Sequence, residues 1–339
     1  MSSSSVTIKD IAKMLGISKS TVSRALSEHT DVNAETRQRV IEVARKLNYA
    51  PNTIALNLKQ QRTNIIGVII PETVNRFFAK AIGGIQRIAN LAGYNVMICQ
   101  SDESSTTEKN NLQSLIAAHV DGVIISVSSE TDHTDHFDAL LQRNIPVVFF
   151  DRISESLQTS QVVTDNYEIA FEGTEHLIAQ GRNKIAIVAG PLNLYVSKHR
   201  FQGYADALKK HNLPLRDEYI IHSNFHNSDI EAYTKQLINL PERPDAVFAI
   251  NDYAAIEMMY HFKKHGIRIP EDIAMLGFNN ENICKFVEPP LSSIELSSYD
   301  LGTTAAELLL RQIKGSRELE KKLVKSKLVI RESTAGKKS

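Results

Sequence analysis

The stretch Gly16-Ile17-Ser18-Lys19-Ser20-Thr21-Val22-Ser23-Arg24-Ala25-Leu26 decides the fold of the N-terminal part of this chain. Gly16 can end a preceding helix, because glycine adopts a left-handed backbone at no steric cost. Ser18 is a favourable N-cap for a second helix, whose apolar side carries Val22, Ala25 and Leu26. Two short helices joined by a tight glycine turn are typical of a helix-turn-helix.

The residues on either side of this stretch supply two more helices of a small core. Upstream, Thr7 with Asp10 three residues later is a variant of the capping-box spacing. The apolar residues that follow recur at the spacing of one helix face, namely Ile8, Ile11, Ala12 and Leu15. Downstream, Asn33 can cap a third helix, with apolar residues at Val40, Val43, Ala44 and Leu47. The sequence therefore predicts a three-helix domain.

The outward side of the second helix and the local charge favour nucleic-acid binding. The outward residues are all hydrogen-bond donors, namely Lys19, Ser20, Thr21, Ser23 and Arg24. Between Met1 and Arg62 there are ten basic and five acidic residues, whereas the formal net charge of the whole chain is zero. Such donors suit phosphates and base edges in a major groove. The alternative is an ordinary polar helix face, and the basic excess argues against it.

The rest of the chain has the size and composition of a multidomain globular protein. Its 339 residues exceed what one core usually serves, so two or three domains are expected. Cys99 and Cys284 are too few for a disulfide framework or a cysteine-rich metal site. No secretory apolar region follows the N-terminal serines, and no apolar run approaches ~18 residues. The sequence therefore predicts a cytoplasmic protein without a membrane partner.

Beyond a polar linker, apolar runs of strand length alternate with amphipathic stretches of helical length. The runs are Ile65–Ile70, Tyr94–Cys99, Gly122–Ser126, Pro146–Phe150, Lys184–Ala189, Ala246–Ile250 and Ile273–Phe278. The helical stretches are Phe78–Leu91, Glu108–Ala118, Asp135–Arg143, Asn166–Gln180, Ser197–His211, Ser228–Asn239, Asp252–His265 and Asp300–Lys314. This alternation is typical of parallel sheets covered on both faces. About 270 residues are too many for one such sheet, so two α/β lobes are predicted.

The sequence carries little sign of catalysis. No G-x-G-x-x-G follows the first strand, and no Walker loop, H-E-x-x-H or G-x-S-x-G is present. His133, Asp135 and His136, with Asp132 beside them, suggest a metal site, but a solvated polar loop is the favoured interpretation. The residues that follow the strands are polar and aromatic, without a nucleophile–base pair. No metal and no cofactor are expected. A hinged small-molecule receptor is favoured, and an enzyme acting on a small metabolite in the cleft is the alternative.

Three segments resemble the LacI/GalR family of bacterial repressors, namely Val6–Ala12, Ser20–Leu26 and Leu47–Asn52. The resemblance runs on through the chain. It implies a helix-turn-helix DNA-binding domain at 1–50, a hinge helix and linker at 51–63, and an effector-binding and dimerisation core at 64–339. The core would consist of two doubly wound α/β lobes of the periplasmic-binding-protein type. Their expected extents are about 64–163 with 293–324, and about 164–292 with 325–339.

The resemblance implies that the second helix lies in the major groove of an operator. Its first residues, Lys19 and Ser20, and Arg24 one turn later are predicted to contact bases. Phosphate contacts are predicted from Thr7, Thr21 and Ser23. The family also inserts a hinge-helix leucine into the minor groove, a place taken here by Leu58, with Ala55 and Lys59 beside it. An apolar wedge of this kind kinks DNA. A core leucine is the alternative role for Leu58.

In the cleft, the resemblance implies an effector site formed by Phe77, Phe78, Asp151, Arg200, Phe225, Asp252 and Asn279. Aromatic faces stack on sugar rings, and a guanidinium binds hydroxyls, carboxylates or phosphates. Asn279 stands where the family usually has aspartate, and Arg200 is expected near a helix start, so both favour an anion. The expected effector is a sugar, a sugar acid or a sugar phosphate. The alternatives are a core position for Phe78, a surface ion pair for Arg200 and a turn position for Asp151.

These inferences together predict an effector-controlled, sequence-specific transcription regulator of the bacterial nucleoid, in this family usually a repressor. No leucine heptad follows the core, so a homodimer is expected, and a two-fold dimer suits a palindromic operator. An effector that closes the cleft would change the spacing of the two hinges and hence the affinity for DNA.

Overall fold

The computed structural model describes residues 6–27, 31–49, 62–223 and 229–335. The chain divides into two compact units, Met1–Thr63 and Asn64–Ser339. The predicted hinge helix with Ala55, Leu58 and Lys59, and the predicted effector residue Phe225, lie outside the described residues.

The first unit is a helix-turn-helix domain, as predicted. Its helices are α1 (Ile8–Leu15), α2 (Lys19–Leu26) and α3 (Ala34–Lys46). They enclose a small core of fully or nearly buried residues, namely Ile11, Ala12, Val22, Ala25, Val32, Val40 and Ala44. Apart from Val32, which precedes α3, the helical spacing of these apolar residues places them on the inner faces of the three helices.

The ends of these helices follow the capping signals of the sequence. The Thr7 N–H donates to the Asp10 carboxylate at 2.8 Å, and Ser18 Oγ accepts from the Thr21 N–H at 3.0 Å. Gly16 ends α1 with φ of 65°, a backbone conformation that favours glycine. Asn33 Oδ1 accepts from the Thr36 N–H at 2.7 Å and caps α3. Each cap satisfies a backbone donor that the helix cannot satisfy itself.

The second unit alternates strands and helices along the chain. Its described strands are β1 (Ile65–Ile70), β2 (Asn95–Gln100), β3 (Gly122–Ile125), β4 (Val147–Phe150), β5 (Ser160–Thr164), β6 (Ile185–Ala189), β7 (Ile220–His222), β8 (Ala246–Ala249), β9 (Ala274–Phe278), β10 (Ser292–Glu295), β11 (Lys321–Val324) and β12 (Lys327–Val329). Its described α-helices are α4 (Arg76–Leu91), α5 (Ser105–Ala117), α6 (Asp138–Gln142), α7 (Asn166–Ala179), α8 (Tyr195–Lys210), α9 (Ile230–Ile238), α10 (Asp252–Lys264) and α11 (Ser298–Ile313). No described helix is long and apolar enough to cross a membrane.

The strands form two six-stranded sheets, one in each lobe. The first sheet has the order β11-β5-β4-β3-β1-β2, and the second has the order β12-β10-β9-β8-β6-β7. Neighbouring strands are parallel, except that β12 runs antiparallel to β10. The doubly wound architecture predicted from the alternation of strands and helices is confirmed.

A close pair of helices covers one face of each sheet. In the first lobe α4 packs on α11, where a Cβ at Gly302 would lie 2.0 Å from the carbonyl oxygen of Ala81. In the second lobe α7 packs on α8, where a Cβ at Gly203 would lie 2.3 Å from the carbonyl oxygen of Tyr167. Only glycine permits such close approach, so both helix pairs depend on a glycine at the crossing point.

Strand pairing shows where the chain crosses between the lobes. The chain leaves the first lobe after Thr164, at the end of β5, and returns to it after Glu295, at the end of β10. It passes to the second lobe again between Val324 of β11 and Lys327 of β12. β10 pairs with β9 in the second sheet through Ile294, so the return to the first lobe follows this strand, close to the expected position of about 293. The strands β5, β7, β10, β11 and β12 were not expected from the sequence. They are short or rich in polar residues, so they lack the continuous apolar run of a buried strand.

Candidate DNA-binding surface and effector cavity

The exposed side of α2 carries the predicted base-contacting residues. Lys19, Ser20 and Arg24 are exposed, whereas Val22 and Ala25 are fully buried on the opposite side of the helix. Thr21 and Ser23 are partly exposed. The packing of the small core thus presents two cations and a hydroxyl together on one surface, which suits an anionic partner.

Hydroxyl groups cluster at the amino end of α2. Ser18 Oγ lies 2.7 Å from Ser20 Oγ and 2.8 Å from Thr21 Oγ1. The Thr7 hydroxyl donates to Asp10 Oδ2 at 2.7 Å at the start of α1. These contacts fix the side chains near a helix end that carries a partial positive charge, where a phosphate can bind.

The second unit contains a cavity of about 330 Å³ at the carboxyl ends of strands from both sheets. Its apolar wall consists of Val74, Phe77, Phe78, Val196, Ile250 and Leu296. Its polar lining consists of Glu72, Asn75, Asp151, Arg152, Arg200, Asn251, Tyr253 and Asn279. The volume is at the lower end of the usual range for small-molecule sites, about 300–1,000 Å³.

Five of the predicted effector residues meet in this cavity, namely Phe77, Phe78, Asp151, Arg200 and Asn279. Phe77 and Phe78 pack edge to face, with ring centroids 5.1 Å apart, and Phe78 packs in the same way on Phe150 of β4. Only 2% of Phe78 is exposed, so its ring belongs to the core of the first lobe, although it also lines the cavity. The core role and the cavity role of Phe78 therefore coexist.

Arg200 of α8 is held in a fixed orientation beside the cavity. Its guanidinium carbon lies 3.7 Å from the ring centroid of Phe278, and its Nε donates to Asn166 Oδ1 at 2.8 Å. Burial lowers the pKa of Arg200 to about 10, and the nearby Asp151 opposes that change. Arg200 is therefore a cation at neutral pH. The expectation that it lies at a helix start is wrong, because α8 begins at Tyr195, so the helix N-terminus adds little at Arg200.

The carboxyl group of Asp151 is influenced by the charges of two nearby arginines. Burial raises the pKa of its carboxyl group, whereas Arg200 and Arg152 lower it. Arg152 Nη1 donates at 2.8 Å to both oxygens of Glu103. With Glu72 included, the lining carries two arginines and two carboxylates, so the cavity has no net positive charge.

Asp252, unlike the five predicted effector residues above, is not part of the cavity lining. The side chain is fully buried, and its carboxylate accepts from the Glu281 N–H at 2.6 Å and from Ser293 Oγ at 2.5 Å. Burial raises the pKa of Asp252 to about 6. Its neighbours Asn251 and Tyr253 line the cavity instead.

Several polar residues of the cavity were not among the predicted effector residues, above all Asn75, Arg152 and Asn251. Asn75 accepts from the Phe77 N–H at 3.0 Å and caps α4, and Asn251 accepts from the Ala254 N–H at 2.8 Å and caps α10. An asparagine that caps the helix after a parallel strand lies at the carboxyl edge of the sheet. That signal was available for both asparagines. For Arg152, its position two residues after the end of β4 was the only signal.

His136 of the polar loop is hydrogen-bonded to Glu108 of α5. His136 Nε2 lies 2.9 Å from Glu108 Oε1, and Glu108 also accepts from the Ser128 N–H at 2.8 Å. Among the described residues, no group of three or more potential ligands could hold a metal ion.

The comparisons with known proteins match both units of the chain. Residues 7–52 match the family described as "Bacterial regulatory proteins, lacI family". Residues 174–334 match the periplasmic binding protein-like domain. Catabolite control protein A of Priestia megaterium is 33% identical, over 90% of this chain and 92% of its own length. The HTH-type transcriptional repressor CytR of Escherichia coli K12 is 33% identical, over 97% of this chain and 96% of its own length.

Solved structures agree with these matches. A Lac repressor dimer bound to operator and the anti-inducer ONPF is 25% identical, with a TM-score of 0.88, and covers 98% of this chain and 100% of the repressor chain. The complex of the transcriptional regulator CelR with cellobiose is 26% identical, with a TM-score of 0.73, and covers 97% of this chain and 99% of the CelR chain.

The fold and the helix-turn-helix surface thus define a DNA-binding regulator with a periplasmic-binding-type core. The chain belongs to the LacI family of bacterial transcriptional regulators. PurR and CytR among its relatives are named transcriptional repressors, and the Lac repressor structure is bound to operator, so the alternative of an enzyme has no support among these proteins.

Proposed function

We propose that this regulator acts as a homodimer on a palindromic operator in the bacterial cytoplasm, and that a small molecule in the cavity between its lobes controls its affinity for DNA. The observation that carries this proposal is the cavity itself. It lies where residues from both lobes meet, so an occupant binds both lobes together and favours one arrangement of them.

For DNA, we propose base contacts from Lys19, Ser20 and Arg24 and phosphate contacts from Thr7, Thr21 and Ser23. Their exposure on α2 and at the start of α1 supports these roles. For the hinge, we propose that Leu58 enters the minor groove with Ala55 and Lys59 beside it. A selection of binding sites from random DNA tests the proposal, because a two-fold dimer should select an inverted repeat. A selected site without this symmetry would contradict it.

For the effector, we propose a sugar, a sugar acid or a sugar phosphate. The apolar wall suits the faces of a sugar ring, and three asparagines and two arginines supply partners for hydroxyl groups. The CelR structure contains cellobiose in a protein of the same fold, which supports a sugar-like occupant. Because the lining has no net positive charge, the neutral sugar is at least as well supported as the two anions.

A thermal-shift screen of the full-length protein tests the effector class. Glucose, gluconate and glucose 6-phosphate serve as the first neutral and anionic probes of a larger set of sugars. The variant Asn279→Asp adds a carboxylate to the lining, so it should weaken the binding of an anion more than that of a neutral sugar. Equal effects on charged and neutral probes would remove the argument for an anion. A screen in which no compound shifts the melting temperature would contradict the proposed class.

The homodimer is supported by apolar side chains on the surface of the second unit. Phe286 is 79% exposed and Ile283 is 41% exposed on one turn, and Tyr260 of α10 is 61% exposed. The edge strand β2 exposes Met97 and Ile98. Large exposed apolar groups mark interfaces, and pairing would also protect an edge strand.

Analytical ultracentrifugation tests the dimer with two matched variants. Phe286→Asp should shift the protein toward monomer, because it places a charge on the proposed interface. Leu215→Asp, at another apolar residue that is 46% exposed, should leave the dimer unchanged. A wild-type monomer at micromolar concentration, or equal behaviour of the two variants, would contradict the assignment.

A further inference from the structure

The two lobes contact each other at the edge of the cavity, through the first residue of α4. Arg76 Nε lies 3.7 Å from Glu281 Oε2. With its amide oxygen turned toward Arg76, Asn282 accepts from Nη1 at 3.1 Å and from Nη2 at 3.2 Å. Only 3% of the Glu281 side chain is exposed, against 45% for Arg76. One guanidinium of the first lobe thus binds two neighbouring side chains of the second.

The segment Asn279–Asn282 joins this contact to the cavity. Asn279 lines the cavity, and Glu281 and Asn282 reach Arg76. The backbone is left-handed at Asn279, with φ of 105°, and at Asn280, with φ of 48°. The Asn280 N–H donates to Ser293 Oγ at 3.0 Å. The segment is therefore short and held in an unusual conformation, so its two ends are expected to move together.

The buried carboxylate of Asp252 is hydrogen-bonded to this segment and to Ser293 next to it. One carboxylate oxygen accepts from the Glu281 N–H at 2.6 Å, and the other accepts from Ser293 Oγ at 2.5 Å. A Cβ at Gly277 would lie 2.2 Å from Asp252 Oδ1, so the backbone of β9 packs directly against the carboxylate. A fully buried carboxylate with these partners fixes the backbone of the segment more firmly than neutral hydrogen bonds would.

We propose that Asp252 is a positioning residue of the effector site, which fixes the segment Asn279–Asn282 and thereby couples an occupant of the cavity to the contact between Arg76 and the second lobe. The proposal rests on the proposed function, in which the effector occupies this cavity. An effector that moves Asn279 also moves Glu281 and Asn282, and so changes how the second lobe is held against α4. Asp252 acts through the segment, without touching the effector.

Hydrogen exchange measured by mass spectrometry on the full-length protein without ligand tests this role. Asp252→Asn should speed exchange about tenfold in residues 279–285, the change expected from losing one charge-assisted hydrogen bond. An amide accepts through one oxygen only, and its NH₂ would face one of the present donors. Exchange should also rise at residues 75–80, which lie across the cleft in the first lobe.

Asp245→Asn is the matched control. Asp245 is a buried aspartate of the same lobe that accepts from the Asn183 and Lys184 N–H groups at 3.3 and 3.0 Å, at the amino end of the same sheet. This variant should speed exchange near residues 183–185 and leave residues 75–80 unchanged. If Asp252→Asn affects residues 75–80 no more than Asp245→Asn does, the role of Asp252 is merely structural and the proposal fails.

A second pair of variants keeps the test decisive if Asp252→Asn does not fold. Arg76→Gln should speed exchange at residues 281–285, and Glu281→Gln should speed exchange at residues 75–80, each on the opposite lobe. An effect confined to the mutated lobe would overturn the coupling. Because this experiment uses no ligand, a failed effector screen counts against the proposed function and leaves the result for Asp252 intact.

Discussion

Replacing Arg200 with alanine should weaken effector binding by about 2 kcal/mol, or roughly thirtyfold. A hydrogen bond to a charged group contributes about 1.5–3 kcal/mol, and Arg200 can make such a bond to a hydroxyl, carboxylate or phosphate. The guanidinium is already fixed by Phe278 at 3.7 Å and by Asn166 at 2.8 Å. Little side-chain freedom is therefore lost on binding, and most of the hydrogen-bond energy remains for affinity.

Two further variants on or near the helix of Arg200 are compared with Arg200→Ala by their effect on effector binding. Asn166→Ala keeps the charge of Arg200 but removes the acceptor of its Nε, so its effect on effector binding should be smaller than that of Arg200→Ala. Asn166→Ala therefore separates the contribution of the orientation of Arg200 from the contribution of its charge. Lys209→Ala, at an exposed cation of the same helix, should leave effector binding unchanged.

Calorimetric titration with the best compound from the thermal-shift screen measures these differences. Because the chain contains no tryptophan, Tyr253→Trp would place a single fluorescent reporter at the cavity for an independent titration. Operator binding by Arg200→Ala without effector should equal that of the wild type, since the residue lies in the core unit. An unchanged dissociation constant for the effector would place Arg200 outside the site and refute the reasoning.

Three further predictions concern the DNA contacts and a buried carboxylate. Lys19→Ala or Arg24→Ala should cost roughly 1–3 kcal/mol on the preferred operator and less on unrelated DNA, measured by fluorescence anisotropy, and an unaltered selected motif would exclude base contacts. Leu58→Ala should weaken operator binding and reduce DNA bending while leaving effector affinity alone. The operator centre should be a flexible pyrimidine–purine step, and full retention of affinity and bend would contradict the wedge. Burial raises the pKa of Asp252 from 3.8 to about 6, so the folded state binds this proton more tightly than the unfolded state. Its contribution to the free energy of unfolding should therefore rise by about 3 kcal/mol as the pH falls from above 6 to below 3.8. Urea unfolding at several pH values should show this slope in the wild type and lose it in Asp252→Asn, and parallel curves would contradict the raised pKa.

The helix-turn-helix could be predicted from sequence because its signals are local. Gly16 and Ser18 set the turn and the cap, and apolar spacing set the buried faces, so no distant contact was needed. The central parallel strands were equally clear, because burial on both faces requires a continuous apolar run. Short edge strands such as Lys321–Val324 carry no such run and depend on pairing with distant residues.

The position of the cavity could be predicted from the sequence, but only part of its lining residues could. Strand ends indicated its position, and Phe77, Asp151, Arg200 and Asn279 lie there. Spacing alone could not say which of two neighbouring residues lines the cavity. Asn251 caps α10 at the cavity, and Asp252 turns inward to the backbone of Glu281, a contact 29 residues away in sequence.

The central claim is that a molecule in the cavity controls the affinity of this protein for a specific operator. Anisotropy titration of the selected operator with the full-length protein, with and without a saturating screening hit, tests it directly. The hit should change the operator dissociation constant between about five- and 150-fold, the usual range of coupling between two sites. A compound that binds the cavity and leaves operator affinity unchanged would contradict it.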